Sequence, residues 1–187
     1  MTHSWTKSPG AMLDRVWEEI ADLRRLRGGY GGLVSLATVD RAGAPDLRQV
    51  VVRRADRVAG RVEVFTDAST PKVAEIRAEP RVGLLIWQAR DRLQIRLRGT
   101  VTILQGAATL ADWEAMSDAQ RGNYGTVPPP GTPIDSSGGF RRVADPARLA
   151  ILRIGLSEID AVHLARPHDL RARYRRAEGW QGQWLAP

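Results

Sequence analysis

Short strand-like segments follow one another between residues 33 and 104, and turn-rich links such as "RAGAP" separate them. Most of these segments alternate apolar and polar side chains with a period of two, which is typical of strands with one buried face. The segment "RVGLLIWQ" is apolar enough to predict burial on both faces. We predict strands over 33–40, 47–56, 61–67, 81–88 and 93–104. Because no strand–helix–strand series repeats in the sequence, a parallel doubly wound sheet is disfavoured.

Few helical patterns accompany these strands. Residues 8–27 carry apolar side chains three or four apart, behind the capping residue type Ser8 and a tolerated Pro9. We predict helices over 8–27, "TPKVAEIRAEP" and 108–124, and further strands over 148–164 and 171–176. The segment 125–139, "GTVPPPGTPIDSSGG", predicts irregular structure, either a mobile loop or a lid. Together these patterns predict a mainly β (α+β) fold, an antiparallel barrel of roughly six strands with peripheral helices.

Composition excludes several classes of protein. The chain has 187 residues, which suits one domain over 1–187, and it has no cysteine for a disulfide or a thiolate metal site. Its three histidines are too scattered to predict a metal site. The net charge is +7, but the arginines are spread along the chain, which disfavours nucleic-acid binding. Since neither a signal peptide nor a membrane span is evident, we expect a cytoplasmic protein that has no membrane partner.

Arg48 is the first candidate for binding an anion. It shares a strand face with Val50 and Val52, where a charge needs a partner. A bound phosphate would supply that partner, since the planar guanidinium group suits phosphate. The alternative is that Arg48 lies at a frayed strand start, in water. Arg53, five residues further on, faces the other side of the strand unless a bulge intervenes.

The segment "FTDASTPK" (65–72) leads from a strand into a helix, and it is the second candidate. Thr66, Ser69 and Thr70 precede the helix, and Lys72 lies in its first turn. Free backbone N–H groups and the helix dipole favour an anion there, and an anion would also offset the unfavourable lysine. The alternative is that Ser69 or Thr70 caps the helix while Lys72 points to water. The local pattern alone favours the cap.

The predicted strand 93–104 places two polar side chains together. Leu93, Ile95 and Leu97 alternate with Gln94 and Arg96. Because successive strand residues point to opposite faces, we expect Gln94 and Arg96 to lie on the face opposite the core.

Four motifs between residues 48 and 101 occur in the order typical of one known family. They are "RQVVVR" (48–53), "VFTDASTPK" (64–72), "EPRVGLLIWQ" (79–88) and "LQIRLRGTV" (93–101), and "RPHDLRARYRRAEGWQGQWLAP" (166–187) closes the chain. This pattern resembles the pyridoxamine 5'-phosphate oxidase-related, FMN-binding split-barrel family. The resemblance covers residues 30–104 and 149–187, and "WEAMSDAQRGNYG" is similar to a segment of the same branch.

The resemblance implies a six-stranded, Greek-key antiparallel split β-barrel and a cytoplasmic homodimer with FMN at the subunit interface. It implies that Arg48 and Lys72 contact the FMN phosphate, with Thr66 and the two neighbouring hydroxyls alongside. Gln94 would reach the flavin ring from the other subunit. The implied cofactor-binding residues are Arg48, Gln49, Val50, Val51, Arg53, Phe65, Thr66, Ser69, Thr70, Lys72 and Gln94.

The resemblance also implies an oxidase that transfers a hydride from a small phosphorylated or anionic substrate to FMN. Arg53, Arg166 and His168 match the positions that act on the substrate and are the implied catalytic residues. Trp113 and Arg121 are further candidates for substrate binding.

The chain departs from the family pattern at Pro71, where the family has an arginine, at Leu170, next to Arg171, and at Arg53, where the family usually has a lysine. Val162 stands where the family has a tryptophan beside the flavin, and the tyrosine, arginine and serine that hold the substrate phosphate in the family have no clear equivalents.

Three classes of function remain open from the sequence. The first is an FMN-dependent oxidase of the pyridoxamine 5'-phosphate type, which the retained Arg166 and His168 favour. The second is a flavin- or deazaflavin-dependent reductase with another substrate, which the departures from the substrate-phosphate residues favour. The third is a flavin- or haem-binding module without catalytic activity.

Overall fold

The computed structural model describes residues 3–23, 32–165 and 167–187. The strands are β1 (Leu33–Val39), β2 (Pro45–Asp56), β3 (Arg61–Asp67), β4 (Arg81–Gln88), β5 (Leu93–Leu104), β6 (Thr126–Val127), β7 (Arg141–Arg142), β8 (Leu149–His163), β9 (Leu170–Arg175) and β10 (Gly182–Leu185). The α-helices are α1 (Pro9–Asp22), α2 (Pro71–Ala78), α3 (Leu110–Glu114) and α4 (Asp118–Arg121). Within the described ranges, no helix is long and apolar enough to cross a membrane.

Six antiparallel strands close into a barrel in the order β3-β2-β1-β4-β5-β8, and β8 returns to β3. The neighbours β4, β1, β2 and β3 have the spatial order of a Greek key. The long strand β8 pairs with β5 along one edge. Its other edge pairs first with β3 and then with β9, so the barrel is split at that point. The predicted split-barrel fold is confirmed.

Alternation along the strands builds the barrel core, as expected for strands with one buried face. Leu93, Ile95 and Leu97 of β5 are buried, whereas Gln94 and Arg96 lie on the outer face, as predicted. Residue 99 of β5, next to a bulge in the pairing of β5 with β8, is a glycine. A Cβ atom there would lie 2.5 Å from the Gly155 carbonyl oxygen, so a larger residue would push the two strands apart.

The amphipathic helix α1 packs against one end of the barrel. The Ser8 hydroxyl caps it by accepting a hydrogen bond from Ala11 N, as the sequence predicted. Met12, Val16 and Ile20 are fully buried along its inner face. The helix is described to Asp22, and the predicted extension over 24–27 lies outside the described residues.

The prediction that 81–88 is buried on both faces was wrong. In β4 only alternate residues are buried, and the outward side chains Leu85 and Trp87 are 40% and 51% exposed. The reason is that β4 belongs to a barrel whose outer face carries no helix layer at these two residues. Apolar composition alone could not distinguish a strand covered on both sides from one with an apolar outer face.

Two predictions on the segment after β5 were also wrong in detail. Residues 108–124 form short pieces, a 3₁₀ turn and then α3 and α4, because Ser117 starts a new helix with a capping box. The segment 125–139 is not wholly irregular, since Thr126 and Val127 pair with Arg141 and Arg142. The described chain has ten strands, more than the six that close the barrel.

Candidate functional site

A cavity of about 290 Å³ lies where β2, β3 and the start of α2 meet. Eight of the eleven predicted cofactor-binding residues line it, namely Gln49, Val50, Val51, Arg53, Phe65, Thr66, Thr70 and Lys72. Leu33, Asp67, Asn123, Tyr124 and Pro130 complete the lining. The tertiary structure therefore brings most of the predicted residues to a single cavity. We call it the flavin cavity, after the cofactor that the sequence resemblance implies for these residues.

Lys72, Thr66 and Thr70 form the polar end of the flavin cavity. The Lys72 ammonium donates a hydrogen bond of 3.2 Å to Thr66 Oγ1, which lies 3.5 Å from Thr70 Oγ1. Burial lowers the pKa of Lys72, and the nearby Arg48 guanidinium lowers it further. A cation that has lost solvent and faces a second cation is stabilised by an anion, so this end of the cavity suits a phosphate.

The hydroxyls of Ser69 and Thr70 do not act as the predicted helix cap. Thr70 is the N-cap residue of α2, but its hydroxyl donates to the Asp67 carbonyl at 2.8 Å. The Ser69 hydroxyl donates to the Asp67 carboxylate at 2.8 Å and accepts from Arg148. Ser69 is therefore occupied by neighbours, whereas Thr70 still lines the cavity.

Neither interpretation of Arg48 was complete. Its guanidinium donates to the Glu75 carboxylate at 2.8 Å, and it also contacts Asp46 and the Thr38 hydroxyl. The Arg48 side chain is 19% exposed, so it is neither frayed into water nor without a partner. A carboxylate 27 positions away in the sequence supplies the compensating charge, which the strand pattern could not reveal. Arg48 lies beside the flavin cavity, close enough to Lys72 to lower its pKa.

A second cavity of about 220 Å³ adjoins the first, and Arg53, Phe65 and Tyr124 line both. We call it the helix cavity, because Asp112, Met116 and Gln120 of the α3–α4 region complete most of its lining. A bulge in the pairing of β2 with β3 falls between Val52 and Arg54, next to Arg53. The sequence allowed such a bulge as the exception to Arg53 facing the side opposite Arg48.

Arg121 and Trp113 contact each other beside the helix cavity. The Arg121 guanidinium donates to the carbonyls of Trp113 and Glu114 at 3.1 and 3.0 Å, and it lies 5.8 Å from the centre of the Trp113 ring. A further bond of 3.2 Å joins it to Asp118. These contacts hold α3 against α4 and engage the donors of Arg121 within the protein.

Gln94 lies apart from both cavities, on the outer face of β5. The strand register places it beside Trp87 of β4 and Val162 of β8. His168 is exposed in the link between β8 and β9, and Arg166 lies outside the described residues. Within the described ranges, no group of three His, Asp or Glu side chains is placed to hold a metal ion.

The donors in the flavin cavity fit a flavin mononucleotide. One end offers an ammonium and two hydroxyls, which suit a phosphate. The other end offers the extended backbone of Gln49–Val51 and the ring of Phe65, which suit a flat polar ring system. The split barrel is observed, and its cavity has the donors expected of the flavin-binding split-barrel proteins that the sequence resembles.

Residues 27–105 match the family model described as "Pyridoxamine 5'-phosphate oxidase, FMN-binding domain". This match and the curated relatives confirm, over residues 27–105, the resemblance to the FMN-binding family related to pyridoxamine 5'-phosphate oxidase that the sequence motifs indicate. FMN is accordingly the cofactor of this domain.

Curated relatives carry the name pyridoxine/pyridoxamine 5'-phosphate oxidase. The protein from Rhodopseudomonas palustris strain HaA2 is 33% identical over 90 residues, which are 48% of this chain and 42% of the relative. The protein from Microcystis aeruginosa is 28% identical over 169 residues, 82% of this chain and 78% of the relative. The chain thus spans less than half the length of the first of these relatives in its match.

Solved structures share the fold over nearly the whole chain. A pyridoxamine 5'-phosphate oxidase-related, FMN-binding protein from Nostoc punctiforme has a TM-score of 0.76 at 23% identity, covering 93% of this chain and 96% of its own. PhzG from Burkholderia lata, in complex with tetrahydrophenazine-1-carboxylic acid, has a TM-score of 0.75 at 18% identity, with coverages of 100% and 98%. These similarities show the fold.

Sequence reasoning missed five lining residues, which are Leu33 of β1, Asp67, Asn123, Tyr124 and Pro130. Leu33 was predicted only as the start of a strand. Asp67 was inside a quoted motif, but its type gave no reason to place it beside an anion site. The other three lie between α4 and β7, about fifty residues after Lys72. Neither periodicity nor spacing relates two such distant segments. Asn123 and Tyr124 do fall in the quoted segment "WEAMSDAQRGNYG", so its resemblance to the family was the one signal that pointed to them.

Proposed function

We propose that this protein is an FMN-dependent oxidoreductase that resembles pyridoxine/pyridoxamine 5'-phosphate oxidase in its substrate class. The observation that carries the proposal is the pair of adjoining cavities. Arg53, Phe65 and Tyr124 line both, so a ligand in the helix cavity would lie against the ring of a flavin in the flavin cavity.

In the flavin cavity, Lys72, Thr66 and Thr70 would bind the cofactor phosphate. Arg48 would add a second cation if its guanidinium turned from Asp46 and Glu75 towards that phosphate. Gln49, Val50 and Val51 would border the ring through their backbone, with Phe65 beside it. Ser69 would support the site indirectly, because its hydroxyl contacts Asp67 and Arg148.

When bound, FMN supplies a ring that accepts a hydride from a substrate carbon. Arg53 would bind the anionic group of that substrate and hold the reacting carbon close to the ring. Arg166 and His168 remain proposals as catalytic residues from the sequence, and His168 lies in the link between β8 and β9. Tyr124, with a pKa that burial raises, would keep its proton at neutral pH and offer a hydrogen-bond donor.

The proposal includes a homodimer, and the outer barrel face supports it. Leu33, Gln49 and Val51 of the flavin cavity lie on the same outer face as Leu85 and Trp87, by the registers of β1 with β2 and β4. A groove of about 540 Å³ continues along this face past Ala37, Gly83 and Arg98. A second copy packed there would cover the apolar side chains and bring its own Gln94 towards the flavin ring.

A second candidate function is a flavin-dependent reductase that acts on a substrate without a phosphate. The observation that favours it is that the Arg121 guanidinium already forms hydrogen bonds within the protein, to Trp113, Glu114 and Asp118. In addition, Arg54 of the helix cavity contacts the Asp112 carboxylate, which cancels its charge. Both contacts reduce the number of cations free to bind a substrate phosphate.

A steady-state assay with pyridoxamine 5'-phosphate, oxygen and FMN tests the first function. Formation of pyridoxal 5'-phosphate at turnover well above that of free FMN is the expected result, and its absence would exclude the oxidase proposal. An anaerobic assay distinguishes the second function, because a reductase bleaches its flavin when NADPH, NADH or reduced deazaflavin is added. A protein that binds FMN but reacts with none of these donors belongs to the third class, a flavin-binding module without catalysis.

A further inference from the structure

The carboxylate of Asp67, whose side chain is only 4% exposed, accepts hydrogen bonds from three separate segments of the chain. In its own turn, Ser69 N and Ser69 Oγ both donate at 2.8 Å. Gly125 N donates at 2.8 Å, and Arg148 donates through Nε at 3.0 Å and through Nη2 at 3.1 Å. A buried charge with this many donors is well compensated, and it holds the three segments in one relative position.

Arg148 strengthens the same connection from the other side. Its guanidinium contacts the Ser69 hydroxyl and donates to the Thr126 carbonyl at 3.3 Å. Its backbone carbonyl accepts from Ala68 N at 2.7 Å. Arg148 is therefore bound both to the turn that follows β3 and to the segment that follows Gly125.

The backbone at Gly125 allows little movement. Its φ is +121°, and a Cβ atom there would lie 1.7 Å from the Val143 carbonyl oxygen. The Gly125 carbonyl accepts from Val143 N at 2.9 Å, while its N–H donates to Asp67. The chain is thus held on both sides at this glycine, which sets the direction of the residues that follow.

The residues around Gly125 form one wall of the flavin cavity. Asn123, Tyr124 and Pro130 line that cavity. A Cβ atom on Gly131 would lie 3.2 Å from Pro71 Cγ, so the segment packs over the first residue of α2. We call residues 123–131 the wall segment, and it closes the cavity beside Lys72.

We infer that Asp67 and Arg148 are positioning residues for the phosphate end of the flavin cavity. They hold the wall segment against the turn that carries Thr70 and Lys72. This inference rests on the proposed FMN site, because the wall segment closes the end of the cavity where the phosphate would bind. The first part of the long segment 125–139 therefore covers the flavin cavity, whereas the sequence left open what this segment covers.

Electrostatics and positioning predict opposite effects for the Asp67→Asn variant. The Asp67 carboxylate lines the flavin cavity, so by Coulomb's law its removal would strengthen binding of an anionic phosphate. If Asp67 instead positions the wall segment, its removal weakens FMN binding despite the lost negative charge. The sign of the change therefore separates the two roles.

The experiment measures the affinity of the full-length protein for FMN and for riboflavin, by quenching of flavin fluorescence. The variants are Asp67→Asn and Arg148→Lys, which retain the approximate shapes of the side chains. Glu63→Gln is the matched control, because Glu63 has a side chain only 5% exposed and bonds to Arg153 at 2.7 Å, outside the flavin cavity. We expect both test variants to lose roughly tenfold in FMN affinity, while riboflavin affinity and the control stay close to wild type.

Unchanged or tighter FMN binding in both test variants would overturn the inference, and so would an equal loss for FMN and riboflavin. If Asp67→Asn does not fold, Arg148→Lys decides, since it keeps the positive charge and loses the forked geometry.

If wild-type protein binds FMN no better than riboflavin, the proposed phosphate site fails, and the inference is then tested without flavin. In that test trypsin cleaves at Arg141 and Arg142, whose pairing with Thr126 and Val127 protects them. Faster cleavage in the variants than in wild type supports the positioning role, and equal rates overturn it.

Discussion

Lys72 and Thr66 are joined by a hydrogen bond of 3.2 Å at the polar end of the flavin cavity. The two residues come from different elements, α2 and β3, so the strand-to-helix turn between them sets their separation. The hydroxyl holds the ammonium inside a cavity where burial already lowers the pKa of Lys72. This arrangement prepares a cation for an anionic ligand.

We expect Lys72→Met to weaken FMN binding by about 10- to 100-fold, the range for loss of one hydrogen bond to a charged group. Riboflavin binding should change far less, because riboflavin has no phosphate. Lys7→Met is the matched control, since Lys7 is the other lysine of the chain and is exposed. Equal losses for the two flavins in Lys72→Met would show that Lys72 does not contact the phosphate.

We expect Trp87→Asp to shift the protein towards a monomer in sedimentation velocity and to weaken FMN binding. Trp87 is 51% exposed on the outer face that we propose as the dimer interface, and an aspartate there would have to be desolvated. Val58→Asp is the control, because Val58 is 99% exposed in the turn between β2 and β3. A Trp87→Asp dimer as stable as wild type would contradict the proposed interface.

Arg121→Ala should lower the free energy of unfolding by about 1–3 kcal/mol, since two backbone carbonyls lose their donor. Urea unfolding measures this change. We expect the KM for a phosphorylated substrate to change little, because the Arg121 donors are already engaged within the protein. Arg77→Ala, at an exposed helix position, should cost less. A stable Arg121→Ala protein with a tenfold higher KM would instead place Arg121 on the substrate.

Asp67 should make folding stability depend on pH in the acid range. Burial raises the pKa of Asp67, but the hydrogen bonds from Ser69, Gly125 and Arg148 outweigh it and hold that pKa below its ordinary value. Its contribution to stability is therefore complete above the ordinary pKa of about 3.9, and it is lost as the pH falls through the lowered value.

Melting temperatures measured from pH 6 down to pH 3 check this expectation. Asp67→Asn should show a shallower fall below about pH 4 than wild type, because one titrating group has been removed. Asp118→Asn serves as the control, since the Asp118 side chain is 98% exposed. Parallel curves for Asp67→Asn and wild type would argue against the lowered pKa.

Much of the barrel could be predicted from local patterns. The five strands between residues 33 and 104 agree with their predicted bounds within two residues, because period-two alternation is a local property of a half-buried strand. The same reasoning failed for 108–124, where helical spacing predicted one long helix. Ser117 and Gln120 form a capping box that starts a new helix, and this local signal was overlooked.

Part of the candidate site could likewise be predicted from the sequence, and part could not. Lys72 lines the polar end of the cavity, although the local pattern favoured a lysine that points to water. Its contact with a phosphate stays a prediction. The partner of Arg48 could not be predicted, since Glu75 lies on the helix α2, buried against β1. A strand pattern reports which face a residue occupies, and it carries no information on what another element places there.

The sequence by itself determined most of the strands and the order of the family motifs, and the resemblance that those motifs carry implied FMN as the cofactor. Only the tertiary structure decided that Asp67, Gly125 and Arg148 meet, and that the wall segment closes the cavity beside Lys72. The physical reason is the range of the interactions. Alternation and capping involve neighbours along the chain, whereas a buried carboxylate accepts hydrogen bonds from segments up to 81 positions away, and only tertiary packing brings them within hydrogen-bond distance.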